Sequence, residues 1–158
     1  MLNLTKRVEY GLISLLDMSG RDPDSVVTAS EIAAKYEIPL KLLRQVLYRL
    51  AKGQLVRSHQ GVRGGYLLSR LPAEISVKDV IEVLEGPLHL VECVRDKDED
   101  CHQLNHCKIR RSMLHLHHRV VDLLSQCTVA EISGLQGCLP LAVGDSSSAS
   151  RDLAISSH

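Results

Sequence analysis

The chain has 158 residues, 44% of them apolar but only 3% aromatic, and it lacks Phe and Trp. It is therefore long enough for one folded domain with an appendage, and its core has to be built from Leu, Val and Ile. No apolar run is long enough to span a bilayer, and the first five residues carry no signal-peptide apolar stretch, so the expectation is a cytoplasmic protein with no membrane partner. In a reducing compartment, five cysteines read as metal ligands or free thiols rather than disulfides. The net charge is zero, but it is divided: residues 36–70 hold seven basic residues against one acid, and residues 71–107 hold three against nine. A concentrated basic block is the electrostatic footprint of a polyanion partner.

Thr5 is placed to cap a first helix, in which Val8, Leu12, Leu15 and Leu16 recur at helical spacing as far as Gly20. Thr28-Ala29-Ser30-Glu31 is a capping box for a second, short helix that stops near Tyr36. Pro39 fits the first turn of a third helix over residues 40–52, where its missing N–H costs nothing. Residues 55–59 and 66–69 read as two short strands, joined by a tip with three glycines among residues 60–65. Ser76 caps a fourth helix with Val77, Val80, Ile81 and Leu84 inside, ended by Gly86-Pro87. A last long helix is expected to start near Cys107, with Ile109, Met113, Leu116, Val120, Leu123 and Cys127 spaced as a coiled-coil seam. The fold class that follows is mainly α with a small β-hairpin: a winged helix-turn-helix plus a long C-terminal dimerisation helix. The expected divisions are a DNA-binding domain over residues 1–86, a cysteine-rich loop over 87–107, the dimerisation helix and end of the fold over 108–135, and a disordered tail over 136–158.

The third helix separates its residues by function. Leu43, Val46, Leu47 and Leu50 form its packing stripe, and Lys41, Arg44, Gln45 and Tyr48 share the opposite face. The DNA major groove admits one helix, and these side-chain types match what it offers: Lys and Arg for phosphate or guanine, Gln for adenine, Tyr for phosphate or sugar. Arg57 on the first strand and Arg63 in the glycine-rich tip are placed to touch a phosphate backbone or a minor groove. A double-stranded DNA partner is expected.

Cys93, Cys101 and Cys107 follow the pattern C-x7-C-x5-C in an irregular loop that ends at a helix start. Three thiolates can chelate a soft metal, but the paired C-x2-C spacing of a structural zinc site is absent. An iron–sulfur cluster with a weaker fourth ligand fits this donor set better. His102 and His106 flank the cysteines as further donors, while His115, His117 and His118 read as surface or dimer-contact residues. Cys127 reads as a core residue on the helix seam, and Cys138 has no assigned role.

With these features in place, the chain resembles the winged-helix iron–sulfur regulators of the IscR, NsrR and RirA type over roughly residues 1–135. The resemblance rests on Leu4-Thr5-Lys6 with Tyr10, on Gly61-Val62-Arg63-Gly64-Gly65-Tyr66-Leu67-Leu68, on Glu74-Ile75-Ser76 through Val80-Ile81, and on Leu84-Glu85-Gly86-Pro87-Leu88, followed by the three cysteines and the long helix. It implies a homodimer on a pseudo-palindromic operator, with the third helix in the major groove and the wing in the minor groove. It also implies a 2Fe–2S or 4Fe–4S cluster on Cys93, Cys101 and Cys107, whose state tunes DNA affinity.

Two departures stand out. IscR-type members place a ligand histidine three residues after the third cysteine, where this chain has Arg110. NsrR-like members use an acid of the first helix, and the matching residue here is Glu9, which becomes the expected fourth ligand. In the wing, many relatives carry Arg where this chain has Gln60, which leaves Arg63 to make the minor-groove contact.

Two competing readings differ in class. One is a cluster-free winged-helix repressor with redox-active or zinc-binding cysteines. The other is a winged-helix module that docks protein partners through its long helix. No P-loop, dinucleotide fingerprint, nucleophile elbow or H-E-x-x-H motif is present, so no enzyme is expected.

Overall fold

A computed structural model describes residues 4–61, 64–90 and 107–134. Six α-helices and one hairpin appear in the described residues: α1 (Lys6–Ser19), α2 (Ala29–Lys35), α3 (Leu40–Lys52), β1 (Val56–His59), β2 (Gly65–Leu68), α4 (Val77–Glu85), α5 (Arg110–Gln126) and α6 (Val129–Ile132), with a short 3-10 turn at Pro72–Glu74 before α4. The expected class, mainly α with a small hairpin, is what the chain adopts.

Local chemistry sets most of the helix starts. Thr5 caps α1 by accepting from the Val8 N–H, and the Thr28–Glu31 capping box at α2 is formed in both directions. Ser76 caps α4 by accepting from the Asp79 N–H. Pro39 stands at the N-cap of α3, one position earlier than expected, where its carbonyl accepts from the Leu43 N–H. The turn between α2 and α3 passes through Glu37 at φ 54, a left-handed conformation rare outside glycine.

The core is aliphatic, as the composition requires. Leu15 of α1, Ile32 of α2, Leu43, Val46, Leu47 and Leu50 of α3 and Val80 and Leu84 of α4 are wholly buried against one another. Burying each such side chain stabilises the fold by about 1.5–3 kcal/mol before chain entropy is counted. Gly11 lies where α1 crosses α4, and a Cβ there would come within 2.7 Å of Leu84 Cδ1.

The hairpin pairs Val56 with Leu68 and His59 with Gly65 in antiparallel register. It is tied to the entrance of α2 by a bridge in which Val27 and Tyr66 exchange two backbone hydrogen bonds of 2.8 and 2.9 Å. This bridge sets the wing beside α2 and α3.

The C-terminal elements differ from expectation. α5 begins at Arg110, three residues after Cys107, with Ile109 at its N-cap supplying no side-chain hydrogen bond. Cys107 therefore precedes the helix instead of occupying its N-terminus. Cys127 is the C-cap of α5 and packs half-buried against the core. α6, which went unanticipated, starts at a capping box between Thr128 and Glu131. The Val77 N–H donates to the Cys127 carbonyl, and the Val129 N–H to that of Ile75, each at 2.9 Å, so the end of α5 is stitched to the start of α4. At the other end of α4, His89 stacks on His117 with ring centroids 6.5 Å apart. α5 thus runs antiparallel to α4 over its C-terminal half, and its first two turns extend past His89.

Candidate nucleic-acid interface

α3 presents the expected polar face. Lys41, Arg44, Gln45 and Tyr48 are all exposed, and Tyr48 retains 68% of its surface. Arg44, Gln45, Tyr48 and Lys52 line an open groove of about 880 Å³ against Val83 of α4. Exposure of a large ring and three long polar side chains on one helix has no internal packing role, since the same helix buries its four aliphatic residues on the opposite side.

Arg49, counted in the basic block, is otherwise engaged. Its Nη1 donates to the Leu84 carbonyl at 2.7 Å and holds the end of α4 against α3. Gly53 brings the same two helices into close approach, because a Cβ there would meet Val83 at 2.5 Å.

A buried acid fixes α1 against α2. The Asp17 side chain is wholly buried and accepts from Lys35 Nζ at 2.5 Å, Tyr36 OH at 2.9 Å and Arg21 Nη2 at 2.7 Å. Burial pushes its carboxyl upward, but the hydrogen bonds from Lys35, Tyr36 and Arg21 together outweigh that effect and hold it below the usual carboxylate range. No local motif marks Asp17; only the folded positions of Lys35 and Tyr36 reveal it.

The wing divides the sequence-predicted arginines. Arg57 lies in a cleft of about 390 Å³ shared with Asp22, Asp24, Glu74, Arg21 and Arg70, and no α3 residue lines it. The structure therefore does not bring it together with Arg44 and Tyr48. His59, at the end of the same strand, does share a cleft with them. Arg63 lies outside the described residues.

Among the candidate ligands, Cys107 is a half-buried free thiol and Glu9 lies in the first turn of α1 beside Lys6, with Nζ to Oε2 at 2.5 Å. The start of α1 is tied to the end of α4 by Thr5 Oγ1 donating to Glu85 Oε1 at 2.8 Å. The first turn of α1 therefore sits beside the C-terminal end of α4. Cys93, Cys101, His102, His106, Cys138 and the tail lie outside the described residues, among which no group of three or more His, Cys, Asp or Glu is placed to hold a metal.

The seam residues of α5 divide by exposure. Ile109, Leu116 and Leu123, one heptad apart, are 62%, 46% and 52% exposed, while Met113 and Val120 are half-buried. His117 departs from the surface role expected of it: it is buried, and its Nδ1 has no hydrogen-bond partner among the described residues. Burial first, then the neighbouring His118 and His89, push its imidazole below the usual value.

α2, a tight turn, α3 and a hairpin beside them define a winged helix-turn-helix, a DNA-binding architecture. Residues 4–134 match the family model Rrf2, described as an iron-dependent transcriptional regulator, and the chain belongs to that family. It is 30% identical over 141 residues to the transcriptional regulator IscR of Yersinia pseudotuberculosis, an alignment covering 89% of this chain and 85% of that one. Among solved structures, CymR, the global cysteine regulator of B. subtilis, matches with a TM-score of 0.69 at 25% identity, covering 87% of this chain and all of that one. IscR of T. potens matches with a TM-score of 0.63 at 26% identity, covering 83% and 85% respectively. These relatives are transcriptional regulators. Among the described residues, no helix is long and apolar enough to cross a membrane.

Proposed function

We propose that the chain is a cytoplasmic, homodimeric transcriptional regulator whose operator affinity is controlled by an iron–sulfur cluster held on Cys93, Cys101 and Cys107, with Glu9 as fourth ligand. The observation that carries the DNA half is the exposed Lys41, Arg44, Gln45 and Tyr48 face on a helix whose other side is wholly buried. Such a face fits the major groove, and a pair of them fits half-sites one helical turn apart.

The donor set suits the cluster. Three thiols fall within fifteen residues, and Cys107, the described one, is free of a disulfide and half-buried. The family description as iron-dependent and the likeness to IscR support the same reading. When bound, a cluster supplies reversible redox and ligand-exchange chemistry, and a carboxylate in place of a fourth thiolate leaves one coordination position weaker. Glu9 belongs to the first turn of α1, whose N-cap Thr5 is hydrogen-bonded to Glu85 at the end of α4, the helix that precedes the cysteines in the chain. α5, which begins three residues after Cys107, carries the seam of Ile109, Met113, Leu116, Val120 and Leu123, of which Ile109, Leu116 and Leu123 are exposed and where a second chain would pack. Ordering the segment between α4 and α5 would then set the separation of two α3 helices across the dimer.

The likeness to CymR, a cysteine regulator, favours a second reading in which the family fold works without a cluster and the cysteines act as thiols. Visible absorption with iron and sulfide analysis, on protein purified without oxygen, separates the two. The cluster reading expects thiolate-to-iron absorption that is lost in Cys93→Ala and altered in Glu9→Ala. A colourless protein after anaerobic reconstitution would leave the second reading.

A further inference from the structure

Resting on the DNA-binding reading above, we infer that the cleft between α3 and the wing seats one DNA backbone phosphate, and that His59, not Arg57, is the wing strand's hydrogen-bonding contact to it.

The cleft, of about 530 Å³, is walled by Arg44 and Tyr48 from α3, Ser30 from α2, and Ser58, His59 and Gly64 from the hairpin. Its shape follows from the bridge between Val27 and Tyr66, which holds the hairpin against the entrance of α2. Gly65 permits that contact, since a Cβ there would lie 2.6 Å from the Val27 carbonyl oxygen.

The chemistry is that of an anion seat. Among the described residues, the polar side chains lining the cleft are hydroxyls, a guanidinium and an imidazole, with no carboxylate. Guanidinium, hydroxyl and imidazolium groups all donate to phosphate oxygens, and such contacts position a protein on the duplex without reading its sequence. Arg44 and Tyr48 also belong to the face of α3 that would enter the major groove. A phosphate held here would lie between groove and wing, which is where the duplex backbone must pass if both are engaged.

Arg57 meets the opposite conditions. Its cleft holds Asp22, Asp24 and Glu74 as well as two other arginines, so its charge is offset locally, and no α3 residue lines it. Strand alternation does not separate the two, since residues two positions apart share a face; the clefts they line do.

The test measures binding of a fluorescent duplex of about 30 base pairs by anisotropy across a salt series, for the wild type and for His59→Ala, Ser30→Ala and Arg57→Ala, each checked for an unchanged melting temperature. His59→Ala is expected to weaken binding several-fold, equally on two unrelated sequences, as loss of a backbone phosphate contact should. Arg57→Ala is expected to leave affinity and slope unchanged. Steep salt dependence in the wild type with no effect of His59→Ala, or a larger loss in Arg57→Ala, would overturn this assignment alone. A wild type whose binding is absent or insensitive to salt would overturn the DNA-binding reading itself.

Discussion

Gly65 opens the second wing strand, and Gly65→Ala tests how the wing is held. The added Cβ would lie 2.6 Å from the Val27 carbonyl oxygen, 2.7 Å from Val26 Cγ1 and 2.9 Å from the Val27 carbonyl carbon. Two of these three atoms are backbone, so no rotamer change relieves the clash. The hairpin has to move away from α2, which stretches the two hydrogen bonds between Val27 and Tyr66. Overpacking of this kind costs about 1–3 kcal/mol, and each weakened backbone hydrogen bond up to about 1 kcal/mol. A total of about 3 kcal/mol lowers the melting temperature of a chain of this size by roughly 10 °C. Gly11→Ala is the control. Its Cβ would meet the end of a side chain, Leu84 Cδ1, at 2.7 Å, and alanine is a better helix former by about 1 kcal/mol. Circular dichroism melts and DNA titrations on both variants provide the assay. The account expects Gly65→Ala to lose both stability and DNA affinity while Gly11→Ala changes little. A Gly65→Ala protein that melts with the wild type would refute the reasoning that the wing is pinned by backbone contact.

Asp17→Asn removes the charge that gathers Lys35, Tyr36 and Arg21, and with Lys35 and Arg21 partly able to rehydrate the cost is about 2–3 kcal/mol in urea unfolding at neutral pH. The Asp17 carboxyl is held below its unfolded value, so this contribution is present above about pH 4 and is lost as pH falls through the lowered value; a variant as acid-sensitive as the wild type would count against it. His117 is lowered as well, chiefly by burial, so the unfolded chain takes up more protons as pH falls below about 7, and stability declines over that window. His117→Leu, which also removes the unpartnered Nδ1, is expected to be at least as stable near pH 7 and to flatten the decline in melting temperature toward pH 5.5; an undiminished decline would point elsewhere. Leu116→Glu, on the exposed seam of α5, is expected to convert dimer to monomer in light scattering with little change in the monomer's secondary structure, and a persistent dimer would remove α5 from the interface.

What could be read from the sequence was what local chemistry determines. The Thr28–Glu31 capping box, the Leu43, Val46, Leu47 and Leu50 stripe and the glycine-flanked hairpin each carry their signal within a few residues. The polar face of α3 was legible for the same reason, being the complement of its packing stripe. The features that escaped depend on partners far along the chain. Asp17 acquires its role only where Lys35 and Tyr36 fold back onto α1, and Arg49 only where Leu84 ends beside it. His117 is buried because α5 docks on α4 and brings His89 over its ring. Arg57 and His59 are two positions apart in one strand, and nothing local says which one the hairpin turns toward α3. α6 is a single helical turn, too short for periodicity to reveal.

The central claim is that a cluster on the cysteine segment sets DNA affinity through the spacing of two α3 helices. The most direct measurement is titration of one duplex, selected from a random-sequence pool by the protein itself, with the same preparation before and after its iron is removed without oxygen. The account predicts affinities that differ at least about tenfold, or about 1.4 kcal/mol, between the two forms, with the difference abolished in Cys107→Ala. Equal affinity and equal salt dependence for both forms would contradict it, leaving α3 and the wing to bind DNA independently of the cysteines.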